Sequence, residues 1–238
     1  MQILKNLYQI GGSLNGLSWA GGYRNYEDCN TYLLKGEGGC VLFDCGNGDT
    51  WPQLVDRMEY WGVSPEEVKA CFLTHAHMDH TGAAHILADM GVELYAHEKT
   101  ADALEAGDER CADYLYHKPT VPCRVTHRFA GTQVFNVCGI EITTMHCPGH
   151  TAGCTAYFFN LDGRRVVVSG DVIGTLMDGH FGWDGSFDFD RAAYLATLRK
   201  FSKEDTDIML SGHGLVYFGR PRTRVEEAYC VALCEWRK

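Results

Sequence analysis

Apolar and polar positions alternate loosely over residues 2–10, where Ile3, Leu4, Leu7, Tyr8 and Ile10 are apolar, and this predicts a first strand. A strand pair is predicted over 30–34 and 39–44, joined by a turn at 35–38. From 49 to 61 the spacing changes: Trp51, Leu54, Val55, Met58 and Trp61 recur at helical intervals. Ser64-Pro65-Glu66-Glu67 reads as a helix start, with Ser as cap, Pro in the first turn and acids next. A short apolar run at 70–73 predicts a strand, 81–90 a helix stopped by Gly91, 92–96 a strand ending at His97, and 98–106 a short helix. Residues 107–124, with Pro119 and Pro122, predict an irregular surface segment. Two strands joined at Cys138-Gly139 fall in 133–145, and 155–159 pairs with 165–169 around the polar turn 160–164. An amphipathic helix over 188–201 turns Ala192, Leu195, Leu198 and Phe201 inward. The last strand is 207–211, and a closing helix over 222–236 carries Val225, Ala228, Tyr229 and Ala232 on one face.

Strands and helices are mixed throughout, and no linker or composition break divides them. The pattern therefore predicts one α/β domain over residues 1–238, with antiparallel or mixed sheets covered by helices. An apolar content of 45% in 238 residues suffices for a full core. The net charge of −10 argues against a general affinity for nucleic acid or anionic membrane. No apolar run approaches a membrane span, and residues 1–6 lack the apolar core of a signal peptide. The eleven cysteines are scattered without a Cys-x-x-Cys pair, and read as reduced thiols, mostly small core residues, in a cytoplasmic protein. The expected partner is a small-molecule substrate.

The strand predicted at 70–73 runs directly into His75, His77, Asp79 and His80, four potential ligands within six residues. Imidazole nitrogen and carboxylate oxygen are the donors that zinc and similar cations prefer. The same arrangement, an apolar strand ending in a small residue and then a ligand type, recurs at Val166–Gly170 before Asp171 and at Ile208–Gly212 before His213. The loop Met145–Gly149 leads likewise to His150. Seven ligand-type residues exceed the need of one tetrahedral ion and fit two. His75, His77 and His150 are assigned to the first, Asp79, His80 and His213 to the second, and Asp171 between them, since a carboxylate has two oxygens. Two cations would lower the pKa of a shared water strongly enough to make it a hydroxide at neutral pH.

These motifs carry a resemblance. Thr-His-x-His-x-Asp-His at 74–80, Pro-Gly-His-Thr at 148–151, Gly-Asp at 170–171 and Gly-His-Gly at 212–214 resemble, in order and over almost the whole chain, the metallo-β-lactamase superfamily. The resemblance implies a four-layer αββα sandwich of two mixed β-sheets flanked by helices, with a dinuclear site at one edge of the sheets and the ligand roles just assigned. It also separates branches. Lactamases carry Cys or Ser where Asp171 stands, so the chain is more similar to the glyoxalase II-like hydrolases. Their helical glutathione-binding tail has no counterpart in residues 215–238. The lactonase branch places a catalytic Tyr where Gly174 stands, and the flavo-diiron branch a Glu where His77 stands.

The expected reaction is hydrolysis of an ester or thioester by a metal-bridging hydroxide. Asp79 is the expected catalytic residue, holding the second metal, orienting the hydroxide and taking its proton. Two Zn²⁺ are the expected cofactors, with Fe or Mn as alternatives at either site. Alternative functions on the same ligands are a phosphodiesterase, an iron-dependent persulfide-type oxygenase and a non-catalytic metal-binding domain. Substrate contacts are expected from two aromatic loops. One is 11–30, with Trp19 and Tyr23, and the other is 172–187, with His180 and Trp183. His146, four residues before His150, is expected outside the ligand set.

Overall fold

Side chains one residue apart along the central strands fall on opposite faces, and both faces are buried. Leu33, Leu42, Cys71 and Leu94 belong to one apolar cluster, while their neighbours Leu34, Val41, Phe43, Phe72 and Tyr95 belong to another. A strand with both faces covered needs layers on both sides. The computed structural model of the chain describes residues 1–12, 28–173 and 181–236.

The first sheet runs β1 (Gln2–Leu4), β2 (Leu7–Gln9), β3 (Tyr32–Gly36), β4 (Gly39–Phe43), β5 (Val68–Phe72), β6 (Glu93–His97) and β7 (His127–Phe129), in that spatial order. Its first half is antiparallel, and β4 to β7 pair in parallel. The second sheet is built from β8 (Val134–Val137), β9 (Ile140–His146), β10 (Thr155–Leu161), β11 (Arg164–Gly170), β12 (Ile208–Ser211) and β13 (Tyr217–Phe218). Its spatial order is β13-β12-β11-β10-β9-β8, and within it only β11 and β12 pair in parallel. Helices α1 (Trp51–Tyr60), α2 (Met78–Thr81), α3 (Ala84–Asp89) and α4 (Glu98–Ala106) fall between strands of the first sheet, α5 (Arg191–Phe201) falls between β11 and β12, and α6 (Pro221–Glu235) follows β13.

Three apolar layers hold these elements. Between the sheets, Phe43 and Phe72 meet Tyr157 and Phe159, with the Phe43 and Phe159 rings stacked 5.4 Å apart. Outside the first sheet, Leu54, Met58, Leu87 and Leu104 of the helices cover Leu33, Leu42 and Leu94. Outside the second, Tyr194, Leu198, Phe201, Val225 and Ala232 cover Phe158, Val167 and Met209. The result is the αββα sandwich of two mixed sheets. Each fully buried large apolar side chain contributes about 1.5–3 kcal/mol, so truncating Phe43 to Ala at the centre should cost about 3–5 kcal/mol. All eleven cysteines are free, and seven are buried.

Some predicted elements divide or shrink. Residues 2–10 form two strands, because Asn6 adopts φ 69° and turns the chain back. Apolar alternation does not register a turn that Asn makes by entering the left-handed region. Ser64-Pro65-Glu66-Glu67 does form a capping box, with the Ser64 amide donating to Glu67 at 2.7 Å, but only one 3-10 turn follows before β5 begins. The cap signal is local, and no helical periodicity follows to extend it. The helix predicted over 81–90 is α2 and α3, separated at Gly82 and Ala83. On α5, Ala192 is exposed, and Tyr194 takes the buried place.

Candidate metal centre

The carboxyl ends of β4, β5, β11 and β12 and the β9–β10 connection deliver Asp44, His75–His80, Asp171, His213 and His150 to one edge of the sandwich. Asp44 and Asp171 directly follow strands whose own hydrogen bonds hold them, while His150 sits on the β9–β10 connection. After β5, the single turn of α2 brings Asp79 and His80 round, and the Thr81 hydroxyl ties it down by donating to the carbonyls of Ala76 and His77 at 3.0 Å each. Gly212 lies flat against Asp171, so that any Cβ there would run into the Asp171 carboxylate.

The seven residues assigned from sequence come together in this centre. His75, His77 and His150 form one group whose ligand atoms lie within 4.8 Å of one another; Asp79, His80 and His213 form a second, and His75, His80 and Asp171 a third that overlaps both. His150 Nε2 stands 3.2 Å from His77 Nδ1, and His80 Nε2 stands 3.3 Å from His213 Nε2. Asp171 lies between the groups, with Oδ1 3.3 Å from His80 Nε2 and Oδ2 3.6 Å from His150 Nε2 and 3.5 Å from His213 Nε2.

Outward hydrogen bonds set which ring nitrogen faces inward. His80 Nδ1 donates to Asp44 at 2.8 Å. His150 Nδ1 donates to the Trp183 carbonyl at 2.6 Å, which accepts only. The Thr74 hydroxyl gives its one proton to Asp44 at 2.8 Å and so accepts from His75 Nδ1 at 3.0 Å. In all three rings the Nε2 lone pair is left for the centre, the arrangement a metal-ligating histidine needs.

Burial supplies the other condition. It holds His75 well below the ordinary histidine range, lowers His77 to about 3 with help from His150, and lowers His150. These three imidazoles are neutral at pH 7, as ligands must be. In the second group burial is outweighed by charge. His80 and His213 hold Asp79 down at about 2 against its burial. His213 and His80 do the same to Asp171, and Asp171 and Asp79 raise His213 to about 10. Two buried carboxylates thus draw positive charge into the centre.

His75 Nε2 is buried without a hydrogen-bond partner among the described residues, and His77 Nδ1 and His150 Nε2 face each other at 3.2 Å. Leaving a buried polar atom unpaired is costly, and converging unpaired nitrogens beside two carboxylates fit a cation in preference to a neutral ligand. The residues present therefore fit the metal that the donor set implies.

His146 faces away, donating from Nε2 to the Ala152 carbonyl at 2.9 Å and stacking on His97 at 3.9 Å. Trp183 stands at the centre, its ring 6.2 Å from that of His77 and 45% of the residue exposed. Trp19, Tyr23 and His180 lie outside the described residues. One side chain was not anticipated. Tyr116, in the stretch 107–124 that the sequence places on the surface, is half-buried, and burial and then the charge of Asp79 raise the pKa of its phenol. The cluster Tyr114-Leu115-Tyr116 in an otherwise polar segment was the available signal.

The metallo-beta-lactamase superfamily pattern matches residues 24–213, which is most of the chain and takes in all seven clustered residues. The chain belongs to the metallo-beta-lactamase superfamily. Within this superfamily it is 25% identical over 189 residues to the probable metallo-hydrolase YqgX of Bacillus subtilis, covering 78% of this chain and 84% of that protein. It is 26% identical over 171 residues to the hydroxyacylglutathione hydrolase GloC of Haemophilus influenzae, covering 68% and 74%. It is 24% identical over 205 residues to the atrochrysone carboxyl ACP thioesterase of Passalora fulva, covering 85% of this chain and 53% of that protein; the chain spans about half that relative's length. Among solved structures, the subclass B3 metallo-beta-lactamase BJP-1 of Bradyrhizobium japonicum superposes with a TM-score of 0.75 at 23% identity, covering 99% of this chain and 91% of that one. At that identity the likeness concerns the fold.

Proposed function

We propose that this superfamily member is a dinuclear metal-dependent hydrolase of ester or thioester bonds in small substrates. The observation that carries the reading is the position of Asp171, whose two carboxylate oxygens face the nitrogens of both histidine groups at 3.3–3.6 Å. One carboxylate so placed suits two cations better than one. His75, His77 and His150 would hold the first, Asp79, His80 and His213 the second, with Asp171 between. The imidazole and carboxylate donors suit zinc, and iron or manganese as alternatives.

Cations bound there would supply a Lewis acid for the carbonyl oxygen and lower the pKa of a water at the centre. The chain's own groups do the rest. Asp79 accepts the proton of the attacking water. Asp44, Thr74 and the Trp183 carbonyl keep the imidazoles aimed. The exposed Trp183 ring gives the acyl portion of a substrate an apolar wall. The thioesterase and hydroxyacylglutathione hydrolase among the relatives support carbonyl substrates, and 25–26% identity to GloC and YqgX leaves the individual substrate to experiment.

A panel of thioesters, esters, lactones, β-lactams and phosphodiesters, run on protein of measured metal content, tests the reading. Hydrolysis of the first two classes in proportion to bound metal supports it. Turnover of phosphodiesters alone, or iron-dependent oxidation of a persulfide, overturns it.

A further inference from the structure

His150 stands on the connection between β9 and β10, residues 147–154, which has no helix or strand of its own. The segment 181–190 and helix α5 hold this connection from outside. His150 Nδ1 donates to the Trp183 carbonyl at 2.6 Å, the Ala152 amide donates to the Asp188 carboxylate at 2.9 Å, and the Asp190 amide donates to the Gly149 carbonyl at 2.9 Å. From α5, the Thr197 hydroxyl donates to the Pro148 carbonyl at 2.7 Å. Gly149, at φ 143°, lies so close to Tyr194 that any Cβ there would run into it. The segment needs holding in its turn. Trp183, Asp184, Gly185 and Phe187 are exposed, so its middle buries little of its own. One side chain at the end of α6 fixes both of its ends. The centre of the Trp236 ring lies 4.5 Å from that of Phe181, 5.6 Å from that of Phe189 and 5.7 Å from that of Tyr194, and the Arg191 guanidinium stands over it at 5.8 Å. Ring pairs and cation–π contacts attract beyond the area they bury and prefer particular orientations.

We propose that Trp236 is a positioning residue for His150. Its ring holds Phe181 and Phe189, these hold the backbone between them, and that backbone keeps the Trp183 carbonyl against His150 Nδ1. The proposal rests on the reading of His75, His77 and His150 as a cation-holding group, and adds that the aim of the third ring is set from α6. A carbonyl that wanders leaves the His150 ring free to turn, and its Nε2 lone pair then loses its direction. The second group is indifferent to Trp236, because His80 is aimed by Asp44 at 2.8 Å, at the end of β4.

The test is histidine NMR of the metal-free protein, reading solvent exchange of the His150 and His80 Nδ1 protons, beside chelator competition for Zn²⁺. Trp236→Ala should speed exchange at His150 about 10-fold or more with His80 unchanged, and weaken the hold on one ion about 10–100-fold with the other unchanged. Trp236→Phe, which keeps a ring in the cluster, should restore both readings. Trp236→Leu keeps apolar volume without the ring, should show the same selective change, and carries the test if Trp236→Ala does not fold. Val225→Ala, at a buried position near the start of α6, should lower stability and move neither reading. Unchanged exchange and Zn²⁺ hold without the ring, equal acceleration at His150 and His80, or the same shift in Val225→Ala overturns the role of Trp236 and leaves the metal centre standing. A wild type that takes up no Zn²⁺ overturns the metal-centre reading, and the Trp236 role with it.

Discussion

Asp44 and His80 are joined at 2.8 Å through the ring nitrogen that faces away from the metal centre. Asp44 also accepts from the Thr74 amide at 2.7 Å and the Thr74 hydroxyl at 2.8 Å, so one buried carboxylate orients the base of the whole His75–His80 stretch. Asp44→Ala removes the acceptor from three donors at once. The expected outcome is a 10–100-fold weaker hold on the metal of the Asp79–His80–His213 group, read by chelator competition. A loss of about 2–4 kcal/mol in urea denaturation should accompany it, because buried donors are left unpaired.

Trp183 contributes its carbonyl to His150 and its ring to the space beside His77. Substitution by Ala keeps the main-chain carbonyl and removes the ring. KM for an acyl substrate should rise roughly 3–10-fold, the scale of one lost aromatic contact, with kcat little changed. A kcat that falls in step with an unchanged KM would place the ring's effect on the His150 geometry instead.

Tyr194 is fully buried, and its hydroxyl meets the carbonyls of Asp171 and Val172 at 2.9 and 2.8 Å and accepts from the Gly182 amide. It thus ties the chain just after Asp171 to the chain beside Trp183. Tyr194→Phe should cost about 1–3 kcal/mol in denaturation and lower activity through Asp171. Phe187→Ala, at an exposed position nearby in sequence, should do neither.

His97 caps α4, accepting from the Lys99 amide at 3.2 Å, and its burial, with the stacked His146, lowers its pKa to about 4. The unfolded chain holds a His proton up to about pH 6.5, so it binds more protons than the folded state between about pH 6.5 and 4. The stabilisation is therefore complete above pH 6.5 and is lost as pH falls to about 4. His97→Asn retains a cap acceptor without the titration. Its melting temperature should decline less than that of wild type from pH 7 to pH 4.5.

The fold and the ligand groups were legible for a physical reason. Strands such as β5 and β11 end in a ligand type, so apolar run and ligand adjoin in sequence as they do in space. The hairpin at Cys138-Gly139 and helix α4 were legible because turn residues and apolar period agree there. What was hidden depends on contacts between distant segments. The link from Asp44 to His80 spans 36 positions, and nothing in Asp44-Cys45-Gly46 distinguishes it from an ordinary turn. The segment 107–124 is fastened beside α2 only because Lys118 reaches the Asn47 carbonyl and Asn47 lies against Gly82, which no local period records. The split of 2–10 into two strands turned on one Asn at positive φ.

Metal dependence tests the central claim most directly. Protein stripped of metal by a chelator, verified by elemental analysis, and then titrated with Zn²⁺ should regain hydrolysis of a thioester or ester substrate as the ion is restored. Full activity is expected at two ions per chain, and Asp171→Ala should fail to recover it. Hydrolysis that persists in fully metal-free protein would contradict the account.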